Sequence, residues 1–125
     1  MEITVSREQG RAPITVFHLK GDLNAASYEE FQSRVKQAID AGERDLVIDF
    51  TAVPYMSSAG LRALNQIFNW LEPNVSGKDV TSNNYKSAHL RLVNPAPRVL
   101  ETLKIAGYDM FVEIYQDLKL AVASF

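Results

Sequence analysis

The run Leu46-Val47-Ile48-Asp49-Phe50 is apolar with almost no alternation, and it restricts the fold more than any other feature of the chain. A strand with water on one face reads as alternating apolar and polar residues. A short continuous run suits a strand covered on both faces, as in the middle of a parallel sheet. The residues on either side of the run have helical period. From Ser27 onward, Tyr28, Phe31, Val35 and Ile39 share one face, with Glu29, Glu30, Gln32, Lys36 and Asp40 elsewhere. Beyond the run, Leu61, Leu64, Phe68 and Leu71 recur at spacings of three, four and three, in a helix that starts near Ser57 or Ser58. A buried strand between two amphipathic helices belongs to βαβ units, whose crossovers are right-handed.

The pattern extends in both directions. Ile3 and Val5 alternate with Thr4 and Ser6, the mark of a strand with one buried face, and Ile14 to Leu19 repeats it. Turn chemistry in Glu8-Gln9-Gly10-Arg11-Ala12-Pro13 joins the two as a β-hairpin. Ser27 with Glu30 three residues later predicts a capping box, and Gly42 is placed to end the first helix. Leu90 to Val93 reads as a strand, followed by a helix from Pro95-Ala96-Pro97 that carries Val99, Leu100 and Leu103 and closes at Gly107. Phe111 to Tyr115 is the last strand and Asp117 to Phe125 a terminal helix. The predicted order is β-β-α-β-α-β-α-β-α, one α/β domain over residues 1–125 with a mixed, mostly parallel sheet opened by an antiparallel hairpin. Glu72 to Ala88, with Pro73, Gly77, Ser82, Asn83 and Asn84, has no such period and reads as a loop insertion. It exceeds the ~12–15 residues usual in compact domains, as either a surface insertion or a partner-contacting loop.

Composition excludes several functions. Thirteen Lys and Arg against fifteen Asp and Glu give a net charge of −2, which argues against general nucleic-acid binding. Without cysteine there is no disulfide, thiol nucleophile or cysteine metal site. Met1-Glu2-Ile3-Thr4-Val5 lacks the features of a signal peptide, and no apolar run approaches the ~20 residues of a membrane span. The expectation is a cytoplasmic protein with no membrane insertion. His18 and His89, the only histidines, have no metal-ligand spacing and read as ordinary strand or strand-end residues. No metal or other cofactor is expected. A nucleophile elbow fails for want of glycine at Met56. A phosphate loop at Ser76-Gly77-Lys78-Asp79 fails because its first glycine would fall on Glu72 and Asp79 follows the lysine. Asp22, Asp45 and Asp49 stand near strand ends as turn formers or local acceptors, with no spacing that pairs them. The chain does not read as an enzyme.

What remains is the strand-to-helix junction from Asp49 to Leu61. Pro54 disfavours helix at Val53, and Ser57 and Ser58 stand where the helix begins. Free N–H groups and the positive dipole end favour a phosphate there, or a serine merely caps the helix. The residues alone leave both open.

Val47-Ile48-Asp49-Phe50-Thr51-Ala52-Val53-Pro54-Tyr55-Met56-Ser57-Ser58-Ala59-Gly60-Leu61 resembles the signature of STAS domains, especially bacterial anti-sigma factor antagonists. Gly21-Asp22-Leu23-Asn24 resembles the family's turn after the second strand, and Leu92-Val93-Asn94-Pro95 with Val99, Leu100 and Leu103 resembles its later strand and helix. The likeness spans about residues 2–71 and 89–123. It implies a STAS-like domain that works as a phosphorylation-controlled partner switch. Such antagonists bind an anti-sigma factor that is also a serine kinase, and so release a sigma factor for transcription. The kinase phosphorylates a serine at this junction and a serine phosphatase restores it. Ser58 aligns with the phosphoacceptor, with Ser57 as a rival, and the implied partner surface is Asp22, Asn24, Ser57, Ser58, Gly60, Leu61 and Arg62. Ser57 stands where the family usually has aspartate, and the Glu72 to Ala88 insertion is longer than usual. The alternatives are a non-phosphorylated STAS regulatory subunit of a transporter ATPase and a nucleotide-binding sensor domain. A homodimer is compatible with each.

Overall fold

In a computed structural model, which describes residues 1–72 and 86–125, β1 (Glu2–Gln9) and β2 (Pro13–Lys20) form an antiparallel hairpin. β3 (Leu46–Ala52), β4 (Leu90–Val93) and β5 (Glu113–Tyr115) then add in sequence order, each parallel to its neighbour. Between them run α1 (Tyr28–Asp40), α2 (Ser58–Leu71) and α3 (Pro97–Ile105), and α4 (Leu118–Ala123) follows β5. The strand order β1-β2-β3-β4-β5 advances in one direction. Right-handed crossovers in one direction put α1, α2 and α3, the connecting helices among the described residues, on the same face of the sheet.

That face holds the main core. Phe17, Leu19, Ile48, Phe50 and Leu92 from the strands meet Phe31, Val35, Leu64, Ile67, Phe68, Val99 and Leu103 from the helices. A smaller cluster of Ile14, Val16, Val47 and Val93 lies on the opposite face beneath Ala121 of α4. β3 is therefore covered on both sides, which is why its sequence does not alternate. Gly42 ends α1 as expected, at a φ of 100° that suits glycine.

Several local expectations are corrected. Ser27 stands at the N-cap position of α1 but makes no capping bond. Its hydroxyl donates instead to the Asp22 carbonyl at 2.7 Å and accepts from the Asn24 N–H at 3.0 Å, so no capping box forms with Glu30. The β1 face is only partly buried: Ile3 packs on the core, but Val5 is exposed because β1 is an edge strand. α3 begins at Pro97, with Ala96 as N-cap, rather than at Pro95. The last strand shortens to Glu113–Tyr115 because Tyr108–Met110 form a 3-10 turn before it. Asp117 caps α4 from outside, accepting the Leu120 N–H at 2.9 Å. The expected insertion lies, apart from its ends, outside the described residues. Those ends meet: Ser87 is buried, and its hydroxyl donates to the Glu72 carboxylate at 2.7 Å.

Candidate functional site

β3 ends at Ala52, and the chain then crosses to α2 through a segment pinned at several points. The Val53 N–H returns to the Phe50 carbonyl at 3.0 Å, and the Val53 and Met56 side chains are buried. The turn after β2 runs alongside. Gly21 N–H donates to the Ala52 carbonyl, Leu23 N–H to the Tyr55 carbonyl and Ser57 N–H to the Leu23 carbonyl, at 3.0, 2.9 and 2.9 Å. A parallel bridge between Leu23 and Met56 completes this zipper. Two segments about thirty residues apart in sequence are thereby fused into one rigid rim at the C-terminal end of β3.

Gly60 lies beneath that rim. A Cβ on it would stand 2.8 Å from the Leu23 carbonyl oxygen, 2.8 Å from Leu23 Cγ and 2.9 Å from Met56 Cγ. Only glycine lets the first turn of α2 approach so closely. Gly60 therefore shapes the rim from inside, through packing, and is not itself exposed.

The two serines are presented differently. Ser57 is the N-cap residue of α2, extended at φ −89° and ψ 176°, and its carbonyl accepts the Leu61 N–H at 3.0 Å. Its hydroxyl makes no capping bond and is the one buried side-chain polar atom without a partner among the described residues. Ser58, the first residue of α2, is exposed. Around it stand exposed Asp22, half-buried Asn24 and, one turn along α2, exposed Arg62 and half-buried Leu61. Asn24 is occupied structurally: its side-chain oxygen accepts the Ala26 N–H at 2.9 Å, and its carbonyl accepts the Ser27 and Tyr28 N–H groups. The structure thus gathers the predicted residues at one rim, with Ser58, Asp22 and Arg62 facing solvent. Tyr55, 44% exposed at the same rim, is absent from the predicted set. A large exposed aromatic is the signal that could have found it.

The sheet face away from the connecting helices carries a second constellation. Ser6 Oγ lies 2.8 Å from His18 Nε2, and His18 Nδ1 lies 2.8 Å from Asp49 Oδ2. Hydroxyl, imidazole and carboxylate come from three neighbouring strands, so the chain of bonds ties β1 to β2 and β2 to β3. His89 and Asp45 make a similar contact at 3.0 Å. Period-two positions on adjacent strands would have shown the first set once the register was known, but spacing along the sequence could not.

Burial alone would raise the Asp49 carboxyl, but bonds from the Thr51 hydroxyl at 2.6 Å and N–H at 3.0 Å, with His18, outweigh it. The group ionises below the usual aspartate range. A carboxyl held lower in the folded state contributes stability above its unfolded pKa of about 3.9, and that contribution fades as pH falls through the folded value. Asp49→Asn should cost about 1–2 kcal/mol at neutral pH. Urea unfolding should show the gap between the two proteins narrowing below about pH 4. A gap that stays constant with pH would mean the carboxylate charge plays no part.

A groove of about 590 Å³ lies at the ends of β4 and β5 against α3, between Asn94, Leu100, Lys104 and Tyr115, and no residue of the Ser58 rim lines it. No helix among the described residues is long and apolar enough to cross a membrane.

The model of the STAS domain family matches residues 6–74, more than half of the chain. BtrV of Bordetella bronchiseptica, which carries the name of an anti-sigma factor antagonist, is 27% identical over 125 residues, covering 100% of this chain and 95% of its own. Among solved structures, a Thermotoga maritima protein described as an anti-sigma factor antagonist superimposes with a TM-score of 0.77 at 17% identity, over 95% of this chain and 90% of that one. The Bacillus cell fate determinant SpoIIAA in its phosphorylated form gives a TM-score of 0.62 at 17% identity, over 94% and 96%. Both structures share the fold of this chain.

Proposed function

The chain belongs to the STAS domain family, and from that premise we propose that it is an anti-sigma factor antagonist working by partner switching. Unmodified, it binds an anti-sigma factor that is also a serine kinase, and a sigma factor is released. The bound kinase then transfers the γ-phosphoryl group of ATP to Ser58: a bond forms from Oγ to phosphorus, the hydroxyl proton passes to a base of the kinase, and ADP leaves. A phosphatase hydrolyses the ester and restores the binding form. The chain is the substrate in this cycle and performs no chemistry of its own.

The observation that carries this reading is the contrast between the two serines. Ser58 is exposed at the start of α2, on a rim whose backbone is fixed by the Leu23–Met56 zipper. Ser57 Oγ is buried, so the rival acceptor is closed to a kinase unless the helix start opens. Likeness to BtrV over the whole chain supports the same role. A phosphate adds roughly −1.5 to −2 charges, and the dipole of α2 favours it there by about 0.3–1 kcal/mol. The fold tolerates the group, whereas a partner surface fitted to a neutral hydroxyl does not.

Incubating the protein with an anti-sigma factor serine kinase and ATP, followed by peptide mass spectrometry, tests the assignment. One phosphate on Ser58, absent from Ser58→Ala, is the expected result. Phosphate on Ser57, or on neither serine, sinks it.

A further inference from the structure

We propose that Arg62 is an intramolecular receptor for the phosphate on Ser58, so that a single modification takes two contacts away from the partner surface. The inference rests on Ser58 being the acceptor, as argued above. Ser58 and Arg62 are four residues apart on α2, and both are exposed. Residues at that spacing share one face of a helix. A helical side chain also leans toward the N-terminus and covers the turn before its own Cα. Arg62 is therefore placed within reach of a phosphate on Ser58.

Among the described residues nothing competes for the Arg62 side chain. Arg62 has neither an ion pair nor a hydrogen bond among the described residues. The Asp22 carboxylate, on the turn zipped to the junction, is also without a partner among them. Its negative charge makes a phosphate at this rim costlier and a neighbouring cation more effective. A guanidinium suits the task better than an ammonium, because its planar fork of donors matches two phosphate oxygens at once. Before modification the Ser58 hydroxyl is neutral, and Arg62 is free to meet an acidic group of the partner. After modification the guanidinium is drawn onto its own helix. The partner then faces a new anion and has lost a cation.

The test is a ³¹P NMR titration of protein carrying genetically encoded phosphoserine at position 58, alone and with Arg62→Lys or Arg62→Ala. The phosphate of the otherwise unaltered protein should take up its second proton at a pH several tenths of a unit lower than in Arg62→Ala. Arg62→Lys should fall between the two, with the circular dichroism of all three superimposable. Coincident titration curves would overturn the proposal. No kinase or partner takes part, so this failure is distinct from failure of the switch, which partner binding reports.

Discussion

Gly60→Ala is expected to fold with stability lowered by about 2 kcal/mol, and Gly60→Val to leave little folded protein. A methyl group at position 60 meets the Leu23 carbonyl oxygen and Leu23 Cγ on one side and Met56 Cγ on the other, all under 3.0 Å. The Leu23 oxygen is no flexible tip. It accepts the Ser57 N–H at 2.9 Å, and the Leu23 N–H is held by the Tyr55 carbonyl, so moving it opens the zipper. Overpacking of this kind costs up to about 3 kcal/mol. Alanine recovers about 1 kcal/mol through its better helix propensity. The difference should lower the melting temperature by roughly 5–10 °C for a domain of this size. Scanning calorimetry reads it directly, and an unchanged Tm would show that the turn is not packed against α2. The loss should fall on function as well as stability, because the same displacement moves Asp22 away from Ser58.

How far such features are legible in the sequence depends on whether their cause is local. Leu46 to Phe50 reads as a doubly covered strand because burial on two faces leaves a one-dimensional trace, and the helical periods of α1 and α2 do the same. The capping box at Ser27 looked equally local, yet the Ser27 hydroxyl is taken by Asp22 and Asn24, whose position is set by the Leu23–Met56 bridge. A tertiary contact overrode a good local motif. Ser6, His18 and Asp49 show the same limit from the other side, since only sheet register brings them together. At the candidate site, the strand–helix junction was legible and so were its serines. The difference between them was not. Ser57 and Ser58 are identical in chemistry and adjacent in sequence, and only the extended backbone at the N-cap turns one hydroxyl inward while the other faces water. Gly60 was legible as a motif residue, but its reason, a backbone carbonyl 2.8 Å away, belongs to another segment of the chain.

Ser58→Asp should weaken binding to the anti-sigma factor by tenfold to a hundredfold, or about 1.4–2.7 kcal/mol, while Ser58→Ala binds as the parent does. The asymmetry follows from what each side chain asks of the interface. Alanine removes a hydroxyl that has no partner among the described residues, so nothing inside the domain is left unpaired. Aspartate places a charge where the partner is shaped for a neutral group, and desolvating that charge in the interface costs more than the contact returns. Within the domain the sign is opposite. At the start of α2 a carboxylate is favoured by about 0.3–1 kcal/mol, so the melting temperature of Ser58→Asp should hold or rise slightly. Calorimetric titration with the partner, run beside thermal melts, therefore separates two explanations that a binding assay alone would confuse. A damaged fold would lose stability and affinity together. A switch loses affinity while stability stays or increases, and equal binding by all three proteins would remove Ser58 from the interface. A net charge of only −2 makes the local change large: one phosphate nearly doubles the charge of the whole chain, and does so on one rim.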